Sequence, residues 1–171
     1  MATRYLIGKG HRNIAFIGGS LREEGVIIKR YQGYCEAMQE AGLTVEKDAI
    51  YSGTVDFEYG MTAAIQYVER GRKQTAAFVT ADVISMGVIK GLNQQGIKVP
   101  EDLSIVSFDD VYLANMCHPS LTTVHQDIRE KGSMAVRLVL DAAKAKEHRH
   151  TECILPLKLV ERDSVSERRC E

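Results

Sequence analysis

Apolar and polar positions along the chain follow two rhythms: short continuous apolar runs, and longer stretches in which apolar residues recur every three or four positions. The first run, NIAFIG from Asn13 to Gly18, predicts a strand. A helix is predicted from about Gly25 to Ala41, with Ile27, Tyr31, Tyr34, Cys35 and Met38 on one face and Gly42 placed to end it. A weak strand at Ala49 to Ser52 leads to a second helix capped by Asp56. In it Met61, Ala64, Ile65 and Val68 recur at helical spacing before Gly71. The rhythm repeats with AAFVT at 76–80 and a third helix from Asp82, which buries Ile84, Val88, Ile89 and Leu92 and stops at Gly96. LSIVSF at 103–108 is the next strand.

Strands alternating with helices of this length imply parallel β-α-β units, and strands apolar at nearly every position suit a sheet covered on both faces. The expected fold is therefore α/β: a doubly wound, mostly parallel sheet with helices on both faces. At 171 residues and 44% hydrophobic content, one core is the expectation.

Composition then narrows the chemistry. Lysine and arginine number 22 against 23 acids, for a net charge of -1, so nothing here forms a phosphate-seeking surface for nucleic acid. The clusters Lys144, Lys146, Arg149 and Arg168, Arg169 are interleaved with Glu147, Glu167 and Glu171, which reads as a solvated helix end and tail. Cys35, Cys117, Cys153 and Cys170 lie far apart without C-x-x-C spacing, which fits a reduced cytoplasmic protein and gives no zinc or thioredoxin motif. No window approaches the roughly 20 apolar residues of a membrane span, and the first residues carry no export signal, so no membrane partner is expected.

His148 and His150 have alternate spacing, but near a helix end such histidines face water, and His11, His118 and His125 share no constellation. No metal or cofactor is expected. There is no G-x-S-x-G, H-E-x-x-H or P-loop, and Gly18-Gly19 falls short of the dinucleotide fingerprint.

In an open parallel sheet ligands bind beyond the carboxyl ends of the strands. Gly18-Gly19-Ser20, Asp56-Phe57, Thr80-Ala81-Asp82 and Asp109-Asp110 all arrive at that edge, and Arg30 on the first helix adds donors. Carboxylates that accept hydroxyl bonds, an arginine that bridges vicinal oxygens and an aromatic that covers an apolar ring face suit a many-hydroxyl ligand. A sugar is the natural candidate. Asp56 and Asp82 also stand where helix N-caps belong, and capping is the favoured role for both. Asp109 and Asp110 have an alternative role as loop residues bonding their own backbone.

The runs KGHRNIAFIGGS, RYQGYCEAMQEAGL, TAAFVTAD, VPEDLSIVSFDDVYLANMCHPSLTTVHQDIREKG and ILPLKLVERDS resemble, in order and over nearly the whole chain, the effector-binding domain of LacI/GalR-type bacterial transcriptional regulators. The resemblance implies a periplasmic-binding-protein-like fold of type I, in which an effector is sensed between two subdomains and a separate helix-turn-helix headpiece binds operator DNA. It implies that residues 1–11 are a remnant helix of the first subdomain, that 12–121 form the C-terminal effector-binding subdomain, that 122–152 cross back to the first subdomain, and that 153–171 are return strands and tail. The headpiece and most of the first subdomain would then be missing, and operator DNA would be contacted only through that headpiece.

By the same resemblance Arg30, Phe57 and Asp109 are the main effector contacts, with Asp82 and Gln126 as further ones. The family often carries Asn-Asp where this chain has Ala81-Asp82, and Val26, Ile27 and Ile28 replace smaller polar residues, both of which bear on the effector's identity. The predicted helix from Asp127 to about Lys146 has a wide apolar arc: Ile128, Ala135, Leu138, Val139 and Ala142, flanked by Met134, Val136 and Leu140. Without the first subdomain it is expected to dock on the remaining domain or on another copy. Val83, Met86 and Cys117 are the expected contacts of a two-fold homodimer.

Two other functions share parts of this pattern. A transport-associated sugar-binding protein has the same fold. A small α/β enzyme would use Asp109 and Asp110 as an acid/base pair, although adjacent residues on an extended segment point to opposite faces.

Overall fold

The computed structural model describes residues 1–22, 24–144 and 152–168. Its elements run α1 (Ala2–Gly8), β1 (Ile14–Gly19), α2 (Val26–Glu40), β2 (Ile50–Gly53), α3 (Phe57–Glu69), β3 (Ala76–Val79), α4 (Asp82–Gln94), β4 (Ser104–Asp109), β5 (Thr122–His125), α5 (Ile128–Lys144) and β6 (Lys158–Val160). The strands form one sheet in the order β2-β1-β3-β4-β5-β6, parallel as far as β5 and antiparallel at β6. The doubly wound α/β sheet read from the sequence is borne out.

Because successive strand residues point to opposite faces, one strand feeds two cores. Ile14 and Phe16 of β1 pack with Leu6 of α1 and with Tyr34 and Met38 of α2. Ala15 and Ile17 pack with Ala63 and Tyr67 of α3 and with Ile84, Val88 and Leu92 of α4. Asp56 caps α3, its Oδ1 accepting the Tyr59 N–H at 2.7 Å. Gly42, Gly71 and Gly96 follow three helices with positive φ.

The inward face of α3 differs from the expected one. Gly60, Ala63, Ala64 and Tyr67 are buried, whereas Ile65 is 46% exposed. The cause is the closeness of α4. A Cβ added at Gly87 would stand 2.1 Å from the Phe57 carbonyl oxygen, and one at Gly60 would stand 2.2 Å from that of Ile84. Helices this close select small residues, which hydrophobic periodicity does not weigh.

Helix α1 seals the α2 face of the sheet, with Ala2, Thr3 and Leu6 buried. The strand assigned to a crossover, β5, is an integral member of this sheet, paired in parallel with β4 from Val106↔Thr122 to Asp109↔His125. By contrast α5 buries no residue, with Ile128, Val136, Val139 and Leu140 all more than half exposed. It does not dock on the rest of the domain.

The last described residues strap the sheet. Ser164 is fully buried: its carbonyl accepts the Ile105 N–H, and its hydroxyl donates to the Ile105 carbonyl at 2.6 Å while accepting the Thr122 N–H at 2.8 Å. His148, His150 and Cys170 lie outside the described residues, and among those described no group of three or more His, Cys, Asp or Glu is placed to hold a metal. No helix among them is long and apolar enough to cross a membrane.

Gly87→Ala should lower stability by about 1–3 kcal/mol through overpacking against α3. Chemical denaturation of the variant beside Gly33→Ala, where an added Cβ meets nothing within 4 Å, checks that the cost is steric.

Candidate ligand-binding site

The sheet order reverses between β1 and β3, and the carboxyl ends of β1, β3 and β4 open on one edge. There Arg30 of α2 lies over Phe108, its guanidinium carbon 3.7 Å from the ring centroid. Arg30 Nη1 donates to the Thr80 carbonyl, and Nη2 stands 3.7 Å from Asp109 Oδ1. Gln126 donates its amide N–H to that same Asp109 oxygen at 2.6 Å. The cation is thus pinned on an aromatic face by a backbone acceptor, with a carboxylate at its open edge.

A pocket of about 380 Å³ opens beside this group. Arg30, Phe108 and Gln126 line it together with Lys29, Val26 and Lys131, and residues 153 and 155–157 close one side. Its size falls in the range of small-molecule sites. Burial raises the Asp109 carboxyl above the usual range, and the nearby Asp82 adds to this, while Arg30, Gln126 and Lys131 oppose it.

Asp110 points away from its neighbour. Its Oδ2 lies 2.8 Å from His125 Nδ1 and its Oδ1 accepts from Arg162 Nη2 at 2.6 Å. Burial opposes its ionisation, but the bonds from Arg162 and His125 outweigh that and hold the carboxyl below its ordinary value. Both residues leave the extended conformation, with φ of 113° at Asp109 and 57° at Asp110. One acid faces Arg30, and the other ties the end of β4 to β5 and the tail.

Of the expected contacts, the structure brings Arg30, Asp109 and Gln126 together. Phe57 opens α3, on the face of the sheet opposite α2, and is not among the residues lining this pocket, where Phe108 supplies the aromatic surface. Asp82 is not the N-cap of α4, a position held by Ala81, and its side chain is fully buried. Its Oδ2 accepts the Val111 N–H and its Oδ1 the Thr123 hydroxyl, each at 2.8 Å. Phe108, Lys29, Lys131 and Arg162 were missed. The F-D-D run contained the signal for Phe108, since that residue sits one place before the acid that faces Arg30.

The sequence profile of the periplasmic binding protein-like domain matches residues 3–165. The chain belongs to that family. It is 34% identical over 165 residues to the HTH-type transcriptional repressor PurR of Vibrio atlanticus (strain LGP32), covering 96% of this chain and 49% of the relative. Among solved structures, a LacI-type transcriptional regulator from Bacillus cereus subsp. cytotoxis NVH 391-98 superposes with a TM-score of 0.93 at 31% identity, over 98% of this chain and 59% of that one. A complex of the transcriptional regulator CelR with cellobiose superposes at 0.90 and 29% identity, over 95% of this chain and 50% of that one. The LacI/GalR resemblance read from the sequence is borne out, and the chain spans about half the length of the curated relatives it matches.

Asp110→Asn should cost about 1–3 kcal/mol at pH 7 by removing the charge between Arg162 and His125. Because the folded carboxyl titrates below its ordinary value, its contribution is present above that value and is lost as pH falls through the folded one. Denaturation curves of the wild type and the variant should therefore converge in strong acid.

Proposed function

We propose that this chain is the effector-sensing part of a LacI/GalR-type transcriptional regulator, binding a sugar or sugar derivative and acting in the cytoplasm as a homodimer. The observation that carries this reading is the convergence of Arg30, Asp109 and Gln126 over the Phe108 ring. Asp109 can accept two hydroxyls, Gln126 can donate and accept, and the ring and its neighbours can cover an apolar sugar face. The cellobiose complex of a neighbour with the same architecture supports a carbohydrate. The near-neutral charge supports operator contact through a separate headpiece rather than through these 171 residues. The exposed apolar arc of α5 fits a helix that belongs to a second lobe, so that effector binding changes the closure of two lobes. Such a ligand shifts the equilibrium only by binding the two states unequally.

An acid/base enzyme is less favoured, because Asp110 is held between Arg162 and His125 while Asp109 faces Arg30. A transport-associated binding protein is less favoured because the relatives are repressors.

The dimer face combines Val83, Met86 and Cys117 with Tyr112, Leu113 and Met116. Val83 is 40% exposed and Met116 63%, and the Asp82–Val111 bond holds the two segments side by side. Met116→Glu should shift a sedimenting dimer to monomer while the circular dichroism spectrum stays unchanged; a wild-type monomer at high concentration would refute this face.

For the effector, thermal-shift screening of the full-length regulator against sugars, sugar phosphates and purines should find a stabilising sugar ligand. At a hundred times its dissociation constant such a ligand adds about 2.7 kcal/mol. Arg30→Met should remove the shift. Stabilisation by purines alone, or turnover of any tested compound, would overturn the sugar-sensing reading.

A further inference from the structure

The pocket beside Arg30 carries more positive charge than a neutral sugar would use. Lys29 from α2 and Lys131 from α5 line it together with Arg30, so cations reach the same space from two different helices. Lys131 is near enough to Asp109 to favour its ionised form. Against these three cations stand Asp127 in the lining and Asp109 beneath it. Asp127 is partly engaged already, since its Oδ1 accepts the Glu130 N–H at the start of α5. Asp109 in turn is shared between Arg30 and Gln126.

The rest of the wall is apolar. Val26, Phe108, Leu155 and Leu157 present carbon surface, and Val26 is 61% exposed. A polyhydroxyl ring lying on that surface meets few acceptors beyond Asp109, yet it sits within reach of two mobile ammonium groups. An ammonium attracts a phosphate or carboxylate oxygen strongly at contact distance in a partly desolvated pocket, and does little for a neutral hydroxyl.

We propose that the effector of this site carries an anionic group, phosphate or carboxylate, held between Lys29 and Lys131 while its ring lies over Phe108 and the apolar wall. The proposal rests on the sugar-effector reading above and sharpens its ligand class. It also accounts for apolar Val26 at the mouth, because an anchored anion lessens the need for a full set of hydroxyl partners.

The test is an amide NMR titration of the ¹⁵N-labelled 171-residue chain, since this method reads millimolar affinities. D-glucose, D-galactose and D-mannose are each compared with their 6-phosphate and their uronate at constant ionic strength, with inorganic phosphate as a further probe. At least one charged sugar should shift the amides of Lys29, Arg30, Gln126 and Lys131 at about a tenth of the concentration its neutral parent needs, with the advantage shrinking as salt is raised. Lys29→Met and Lys131→Met should each collapse the difference between charged and neutral probes, and both replace exposed side chains, so folding is checked simply by the unshifted remainder of the spectrum.

Neutral sugars binding as tightly as their charged forms would overturn the anionic class and leave the sugar reading standing. Inorganic phosphate matching every sugar phosphate would uphold the anion site and remove the sugar. No perturbation of these amides by any probe would overturn both.

Discussion

The grip of Arg162 and His125 on Asp110 fixes the end of β4, and the candidate site depends on it. On an extended strand two adjacent carboxylates would point to opposite faces of the sheet. Here both residues turn through positive φ, and Asp110 is drawn to the tail and to β5. Such a charge-assisted pair is favourable only because both oxygens are occupied and the partners are themselves held. Arg162 is held by the Leu121 carbonyl, which it meets at 2.8 Å. With Asp110 so committed, Asp109 is free to face Arg30.

A second constraint comes from the other side of the sheet. Helices α3 and α4 approach so closely that glycines must stand at their contact, and this depth seats the first residue of α4 beneath the loop that follows β4. Asp82 is therefore enclosed and serves as a bracket between that loop and Thr123 of β5. Burial pushes its carboxyl above the usual range, against the bonds from Ser107, Val111 and Thr123 that favour the charged form. A carboxylate at the ligand-binding edge of the sequence thus belongs, in three dimensions, to the frame.

Helix α5 shows the opposite condition. Its apolar arc has no cover among the described residues, although the residues that launch it, His125 to Asp127, are bonded to Asp110 and Asp109 through His125 and Gln126. Asp109 is thus bonded to a residue two places before the first residue of α5. That arrangement suits a sensor, in which occupancy of a small pocket must be passed to a larger moving part, better than it suits an enzyme that needs a rigid pair of acids.

Much of this was legible in the chain itself. Continuous apolar runs marked β1, β3 and β4, helical spacing marked α2 and α4, and the motif resemblance pointed to Arg30, Asp109 and Gln126. These features are local: an apolar period of two or near 3.6 and a glycine after a helix act over a few residues, so the sequence by itself determined them. Tertiary structure alone decided that α1 belongs to this sheet, that α3 turns its small residues inward and that Asp82 is frame rather than contact. It also decided that Phe108 and not Phe57 lies under the arginine. Each of these depends on the distance between elements far apart in the chain, and no local pattern encodes how closely two packed surfaces come together.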